Sequence, residues 1–203
     1  MDQEEQRRLL GCFRMPSGLR ISGRASSIRN VFVAAIVPVA APSAEEIRQV
    51  LDIFGLEPHA LLCSYCGERA TEWDHLRPLV LAGRPTGFPS SIRNLVPACG
   101  KCNQSKGNKD WRSWIRGGAK WSPITRGKQG IEERVRRLEA FEAWARCEPV
   151  NIASLVPSAA WDGYWRLLDE VLAKMTEADA AAAEIARATR AQRAAAKAGG
   201  PAR

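Results

Sequence analysis

Two Cys-x-x-Cys pairs constrain the fold of this 203-residue chain more than any other feature. The first pair is Cys63 and Cys66, and the second is Cys99 and Cys102. Each pair can present two thiolates to one side of a tight turn, and four thiolates are the ligand set of a closed tetrahedral zinc site. The spacing therefore predicts a structural zinc site that closes residues 67–98 into a loop.

The motifs around these cysteines resemble those of the HNH endonucleases, whose core is called the ββα-metal fold. The matching pieces are Cys63-Ser-Tyr-Cys66, Asp74-His75-Leu-Arg-Pro78 and Asn94-Leu-Val-Pro-Ala-Cys99-Gly-Lys-Cys102-Asn103-Gln-Ser-Lys106-Gly107. They cover roughly a quarter of the chain in the family's order. The third family position is often His, and Asn103 stands there as a variant that the family also uses.

The resemblance implies an α+β fold. We expect a small ββα-metal core with a structural four-cysteine zinc site, surrounded by mainly α-helical N- and C-terminal segments. Two neighbouring residues on a regular strand face opposite ways. Asp74 and His75 can therefore share one cleft only if their strand bends or ends there.

The reaction implied by the resemblance is phosphodiester hydrolysis, which needs a base for the attacking water and a cation for the charge that grows on the phosphate. His75 is the candidate base, because imidazole titrates near neutral pH. Asp74 and Asn103 offer hard oxygen donors for Mg²⁺ or Mn²⁺. By resemblance, Asn94 braces the loop and orients His75.

The charge of the chain favours a polyanionic partner. Lys and Arg total 30 against 22 Asp and Glu, which gives a net charge of +8 and a pI near 9.5. A basic chain with nuclease-like motifs indicates nucleic acid, with double-stranded DNA as the expected partner. Lys106 and Arg77 are the candidate phosphate contacts.

Nothing in the sequence indicates a membrane protein or an exported one. Residues 1–8 carry acids and lack a basic signal region, and the apolar run 31–41 is too short to span a bilayer. Four of the six cysteines fall in metal-type pairs, which fits a reducing cytoplasm. Cys12 and Cys147 are expected to be unpaired thiols.

We predict three segments: an N-terminal arm (1–42), the nuclease core with its zinc site (43–118), and a helical C-terminal region with an Ala-rich basic tail (119–203). The arm is either a solvated tail or a phosphate-binding segment, and residues 31–37 form a strand or a buried stretch. In the tail, one basic stripe either lies on a phosphate backbone or is solvated. The stripe consists of Arg187, Arg190, Arg193 and Lys197.

Local patterns predict the remaining elements. Helices are expected at 43–55, 100–106, 110–115, 131–146 and 161–175, and strands at 71–81 and 94–96, the second ended by Pro97. Residues 82–91 are expected to be a loop. Trp111 and Trp114 are expected to pack in the core rather than stack on bases.

The function expected from these motifs is a metal-dependent endonuclease that hydrolyses phosphodiester bonds in DNA. The alternative is a non-catalytic, zinc-stabilised module that binds nucleic acid. Asp74, His75 and Asn103 separate the two, because a binding module needs no such set.

Overall fold

The computed structural model describes residues 2–14 and 18–198, with side chains up to residue 195. The chain divides into two compact units. One is Ser27–Trp165, and the other combines Met1–Ser26 with Arg166–Arg203. The segment boundaries expected from the sequence, after residues 42 and 118, stay predictions.

The described residues form seven α-helices and four short strands. The helices are α1 (Gln3–Cys12), α2 (Ala25–Ala34), α3 (Ala44–Phe54), α4 (Gly100–Lys106), α5 (Trp111–Ile115), α6 (Ile131–Ala145) and α7 (Ser158–Ala198). The strands are β1 (Glu72–His75), β2 (Val80–Leu81), β3 (Arg84–Pro85) and β4 (Leu95–Ala98). The predicted α+β class is confirmed.

The centre of the larger unit is an antiparallel pair, β1 with β4, followed by α4. Asp74 lies opposite Val96, and His75 lies opposite Leu95. β1 ends at His75, which is the condition under which Asp74 and His75 can share one cleft. β4 continues through Pro97, so the prediction that this proline ends the strand was wrong. Leu76 N–H donates to Asn94 O on the same ladder. Hydrogen-bonded and non-hydrogen-bonded positions alternate along an antiparallel pair, so Pro97, opposite Trp73, falls at a position that makes no hydrogen bond to β1. The missing N–H of proline is therefore tolerated there.

The single strand predicted at 71–81 is divided in two. After β1, the backbone resumes as β2, which pairs with β3 in a two-residue hairpin, so the expected loop 82–91 contains a strand. The turn residues Ala82 and Gly83 have φ values of 50° and 75°. Two consecutive positive φ angles are typical of the hairpin turn that matches strand twist, and the sequence pattern did not reveal it.

The helix predicted at 43–55 is α3. Ser43 and Glu46 form a reciprocal capping box, and Gly55 ends the helix in the left-handed region at φ 62°. Its apolar face packs on α6, where the Phe54 and Phe141 ring centroids lie 5.6 Å apart. Trp111 and Trp114 are also buried in this core.

Residues 31–37 do not form a strand. Residues 25–34 are α2, and Val33 and Val37 are buried, so the alternative of a buried segment is the one observed. β-branched residues favour strands only weakly, and packing of one helical face outweighs that preference here.

The smaller unit contains α1 and most of α7. Asp2 caps α1, and the Asp179 carboxylate accepts the N–H groups of Ile21 at 2.6 Å and Ser22 at 3.1 Å. α7 joins the predicted helix 161–175 to the Ala-rich tail without a break. The side chain of Lys197, in the predicted basic stripe, lies outside the described residues. No helix in the described part of the chain has the length and apolarity needed to cross a bilayer.

Candidate functional site

The four predicted cysteine ligands form one cluster. All four are buried, and their sulfur atoms lie within 4.8 Å of one another. The Sγ atoms of Cys66 and Cys99 are 3.6 Å apart. A tetrahedral zinc ion with Zn–S bonds of about 2.3 Å places its sulfurs ~3.8 Å apart. The cluster therefore fits a metal ion such as zinc.

A cationic group outside the cysteine motif contacts this cluster. Arg126 donates to Cys99 Sγ at 3.9 Å and pairs with Glu68 at 3.2 Å, and its side chain is 9% exposed. Lys128 reaches the same carboxylate at 2.7 Å. Four thiolates around Zn²⁺ carry a net negative charge, which these cations offset. Arg126 could not be predicted from the sequence, because no spacing rule connects a lone arginine to cysteines that are distant along the chain.

Asp74 is buried and has two donors on one oxygen. Tyr65 donates its hydroxyl to Oδ2 at 2.7 Å, and Lys106 Nζ lies 3.0 Å from the same atom. Burial raises the pKa of Asp74, the Lys106 ammonium and the Tyr65 hydroxyl lower it, and the Glu72 carboxylate raises it, with a net upward shift. No hydrogen bond among the described residues engages Oδ1.

Lys106 occupies a position that its sequence did not indicate. Its side chain is fully buried, and Nζ donates to the backbone oxygens of His75 at 2.8 Å and Gly107 at 3.3 Å, besides its contact with Asp74. Burial lowers its pKa, and the Asp74 carboxylate opposes this shift. The structure thus offers no exposed ammonium for the phosphate contact expected of Lys106.

His75 lies at the end of β1 and is half-buried. Its Nε2 is 2.9 Å from Ser90 Oγ. Burial, and then the charge of Lys106, lower the pKa of His75 to about 4. The imidazole is therefore neutral at neutral pH, and no hydrogen bond among the described residues engages Nδ1.

Asn94 connects the chain on both sides of the hairpin. Its Oδ1 accepts Arg77 N–H at 2.8 Å, and its Nδ2 donates to Arg77 O and Pro89 O at 3.1 Å each. The side chain is 1% exposed, so all of its polar atoms are satisfied within the protein. These bonds fix the backbone that follows His75 and the segment that carries Ser90.

Asn103, on α4, is oriented by Glu72, which was not predicted from the sequence. Its Nδ2 donates to the Glu72 carboxylate on β1. A carboxylate only accepts, so this bond assigns Nδ2 to Glu72 and leaves Oδ1 for another partner. Glu72 lies two positions before Asp74, and residues i and i+2 of a strand face one side. That spacing was the signal that could have identified Glu72.

Arg77 is held at the protein surface by an acidic partner. Its Nη2 lies 2.6 Å from Glu142 Oε1, and its side chain is 38% exposed. Arg112 binds the second oxygen of Glu142, and Trp111 Nε1 donates to the first at 3.1 Å. Arg77 therefore retains a solvent-facing portion for contact with an anion.

The comparisons with known proteins agree with this geometry. The family model described as HNH endonuclease matches residues 63–109. The CRISPR-associated endonuclease Cas9 of Corynebacterium diphtheriae is 41% identical over 58 residues, which are 27% of this chain and 5% of that protein. No solved structure matched the chain. The resemblance predicted from the motifs is confirmed for this segment, and a nuclease-type function is supported.

The cysteine cluster predicts a strong dependence of stability on metal. Cys99→Ser should lose the bound ion and lower Tm by more than about 10 °C, because several kcal/mol of binding free energy stabilise the fold and each shifts Tm by about 2–4 °C. Cys147→Ser, outside the cluster, is the matched control. Elemental analysis and thermal unfolding check both variants, and a stable Cys99→Ser protein that keeps its metal would contradict the assignment.

The buried ion pair predicts unequal effects of single and double substitutions. Asp74→Ala leaves Lys106 buried without a counter-charge, which should lower the free energy of unfolding by about 3–5 kcal/mol. The double variant Asp74→Ala with Lys106→Met removes the isolated charge and should recover most of that loss. Denaturant unfolding measures the free energy of unfolding of the two variants. Equal stability of single and double variants would show that the pair is not coupled.

Proposed function

We propose that this chain is a metal-dependent HNH endonuclease that hydrolyses phosphodiester bonds in DNA. The observation that carries the proposal is the placement of His75 at the end of β1, neutral and with one ring nitrogen unengaged among the described residues. The oxygen donors Asp74 and Asn103 are supplied by the same β1–β4–α4 element.

His75 is proposed as the general base. With Nε2 donating to Ser90 Oγ, the lone pair of Nδ1 accepts a proton from the attacking water. A pKa of about 4 makes the free imidazole a weaker base than usual. An approaching phosphate favours the protonated ring and moves this pKa upward, toward the range of an effective base.

The divalent cation is proposed to bind the carboxylate of Asp74 and the amide oxygen of Asn103, with Mg²⁺ or Mn²⁺ as the ions that suit hard oxygen donors. When bound, such an ion neutralises the charge that grows on the phosphate and the leaving oxygen. The protein's own groups prepare these ligands. Tyr65 and Lys106 fix Asp74 through Oδ2, and Glu72 fixes the amide of Asn103.

Double-stranded DNA is the proposed partner. The net charge of +8 favours a polyanion, and Arg77 keeps an exposed portion beside the loop that follows His75. Lys106 is proposed to position Asp74 and the His75 backbone instead of contacting phosphate. The clustered free thiols of a metal site suit a reducing compartment, for which we propose the cytoplasm.

A non-catalytic, nucleic-acid-binding module is the second candidate. The burial of Asp74, at 5% exposure, favours it, because two protein donors already occupy Oδ2. The two candidates differ in one observable. A binding module retains DNA without cutting it at any Mg²⁺ or Mn²⁺ concentration, whereas the endonuclease nicks plasmid.

The general-base assignment predicts that His75→Ala reduces plasmid nicking by about 10²–10⁴-fold, the usual contribution of such a group. Folding should persist, because the side chain is only half-buried. His59→Ala, at the other histidine of the chain, is the control and should cleave like the parent. Nicking of supercoiled plasmid with Mg²⁺ or Mn²⁺ measures the effect. Undiminished cleavage by His75→Ala would refute the role.

The Glu72–Asn103 bond predicts a change in metal requirement. Asn103→Ala should raise the Mg²⁺ or Mn²⁺ concentration for half-maximal nicking, and Glu72→Ala should raise it by about 10–100-fold, as loss of a group that orients a ligand usually does. Saturating metal should restore much of the rate in Glu72→Ala. Zinc content and Tm should stay near those of the parent, with Glu57→Ala as control. An unchanged metal titration would show that Glu72 does not orient the metal ligand Asn103.

A further inference from the structure

A cavity of about 230 Å³ lies beside the cysteine cluster, apart from the proposed catalytic residues. Three segments of the larger unit bound it: the end of α3, the chain around the first cysteine pair, and the start of α6. The lining residues that matter are Phe54, Leu56, Leu62, Ser64, Glu133 and Arg134.

Two polar atoms of this lining are buried without a hydrogen-bond partner among the described residues. They are Ser64 Oγ and Arg134 Nε, and Ser64 is only 6% exposed. Buried polar atoms are nearly always paired, because an unpaired one costs free energy. A hydroxyl and a guanidinium N–H can both donate, so an acceptor oxygen would satisfy either atom.

The start of α6 adds further donors to the same cavity. This 15-residue helix begins after Gly130, which lines the cavity and provides no side-chain cap. The first N–H groups of an uncapped helix lack acceptors, and the helix dipole places partial positive charge there. Such an end binds anions.

The charges at the cavity leave one guanidinium unpaired. Glu133 is neutralised by Arg136 at 2.6 Å and Arg137 at 3.0 Å, and Arg137 also donates to Phe54 O. Arg134 has no ion pair among the described residues. Its guanidinium packs directly on Gly67, where a Cβ would clash with Arg134 Nη2.

We propose that this cavity binds a tetrahedral oxyanion of the phosphate class. Ser64 Oγ, the Arg134 guanidinium and the N–H groups at the start of α6 donate to its oxygens. The apolar wall of Phe54, Leu56 and Leu62 suits the face of an attached sugar. The phosphate belongs either to a nucleic-acid backbone, in which case the inference rests on the proposed function, or to a free phosphate.

Calorimetric titration of the metal-loaded 203-residue chain with inorganic phosphate, against chloride at equal ionic strength, tests the site. The parent should bind, and Arg134→Gln and Ser64→Ala should each weaken binding by about tenfold or more, as loss of a hydrogen bond to a charged group does. Arg48→Gln removes the same charge from an exposed arginine on α3, which pairs with Glu45 and does not line the cavity, and should bind like the parent. No binding by the parent, or an equal loss in Arg48→Gln, overturns the proposal.

If Arg134→Gln disturbs packing on Gly67, Ser64→Ala still tests the site. Removing a buried hydroxyl that lacks a partner should leave Tm in phosphate-free buffer unchanged or higher. Lost phosphate binding with intact stability is the expected signature. A lower Tm without phosphate would mean that the hydroxyl has an internal partner, which contradicts the site.

Duplex DNA identifies the source of the phosphate. In a His75→Ala background, we compare how steeply log affinity for DNA falls with log salt concentration. If a backbone phosphate occupies the cavity, this slope should be smaller by about 1 for Arg134→Gln than for Arg48→Gln. Equal slopes, with phosphate binding lost, exclude the nucleic acid and assign the site to free phosphate. Phosphate binding by a protein that never nicks DNA would reject the proposed endonuclease and keep this site.

Discussion

Four buried sulfur atoms hold together the part of the chain on which everything else depends. Residues 67–98 contribute only two four-residue strands, β1 and β4, and a hairpin of two two-residue strands, β2 and β3. So little regular structure cannot fix its own ends, because short ladders are marginal alone in water. The cysteine cluster ties the first pair to the end of β4 and the start of α4. Asp74 on β1 and Asn103 on α4 are thereby held at a fixed separation.

Lys106 links the cysteine cluster to the candidate catalytic residues. Cys102, Asn103 and Lys106 lie on the same short helix, where successive residues point about 100° apart. One helix can therefore hold a metal, present an amide and bury an ammonium. Because that ammonium binds both Asp74 and the backbone of His75, a rotation of α4 would displace the carboxylate and the imidazole together.

The sequence predicted the parts of the fold that local chemistry determines. The cysteine pairs and the capped helix α3 follow from spacing, capping and the family motif. The end of β1 at His75 was only a condition for a shared cleft, because the strand was predicted to run on to residue 81. Other features depend on partners distant in sequence. A lysine on a short helix is expected to be solvated unless the buried Asp74 carboxylate is known to lie beside it. Residues 31–37 have strand composition, yet residues 31–34 form the last turn of α2. Arg126 was missed for the same reason, since its partners Cys99 and Glu68 lie far from it in sequence. Glu72 was missed although its spacing to Asp74 offered a signal, because its partner Asn103 is also distant in sequence.

Charge is balanced separately at the two centres. Around the cysteine cluster, Arg126 and Lys128 offset part of the negative charge of the thiolates and Glu68, close to the surface. Around Asp74, the only cation in contact among the described residues is Lys106, and it is fully buried. The ion pairs at the cysteine cluster tolerate solvent. The Asp74–Lys106 pair depends on the exclusion of water, because water would screen it. The divalent ion proposed for this site would meet a carboxylate whose Oδ2 charge is already compensated. We therefore expect Oδ1, Asn103 and the phosphate itself to supply its attraction. On this basis, the metal should bind more tightly with substrate present than without it.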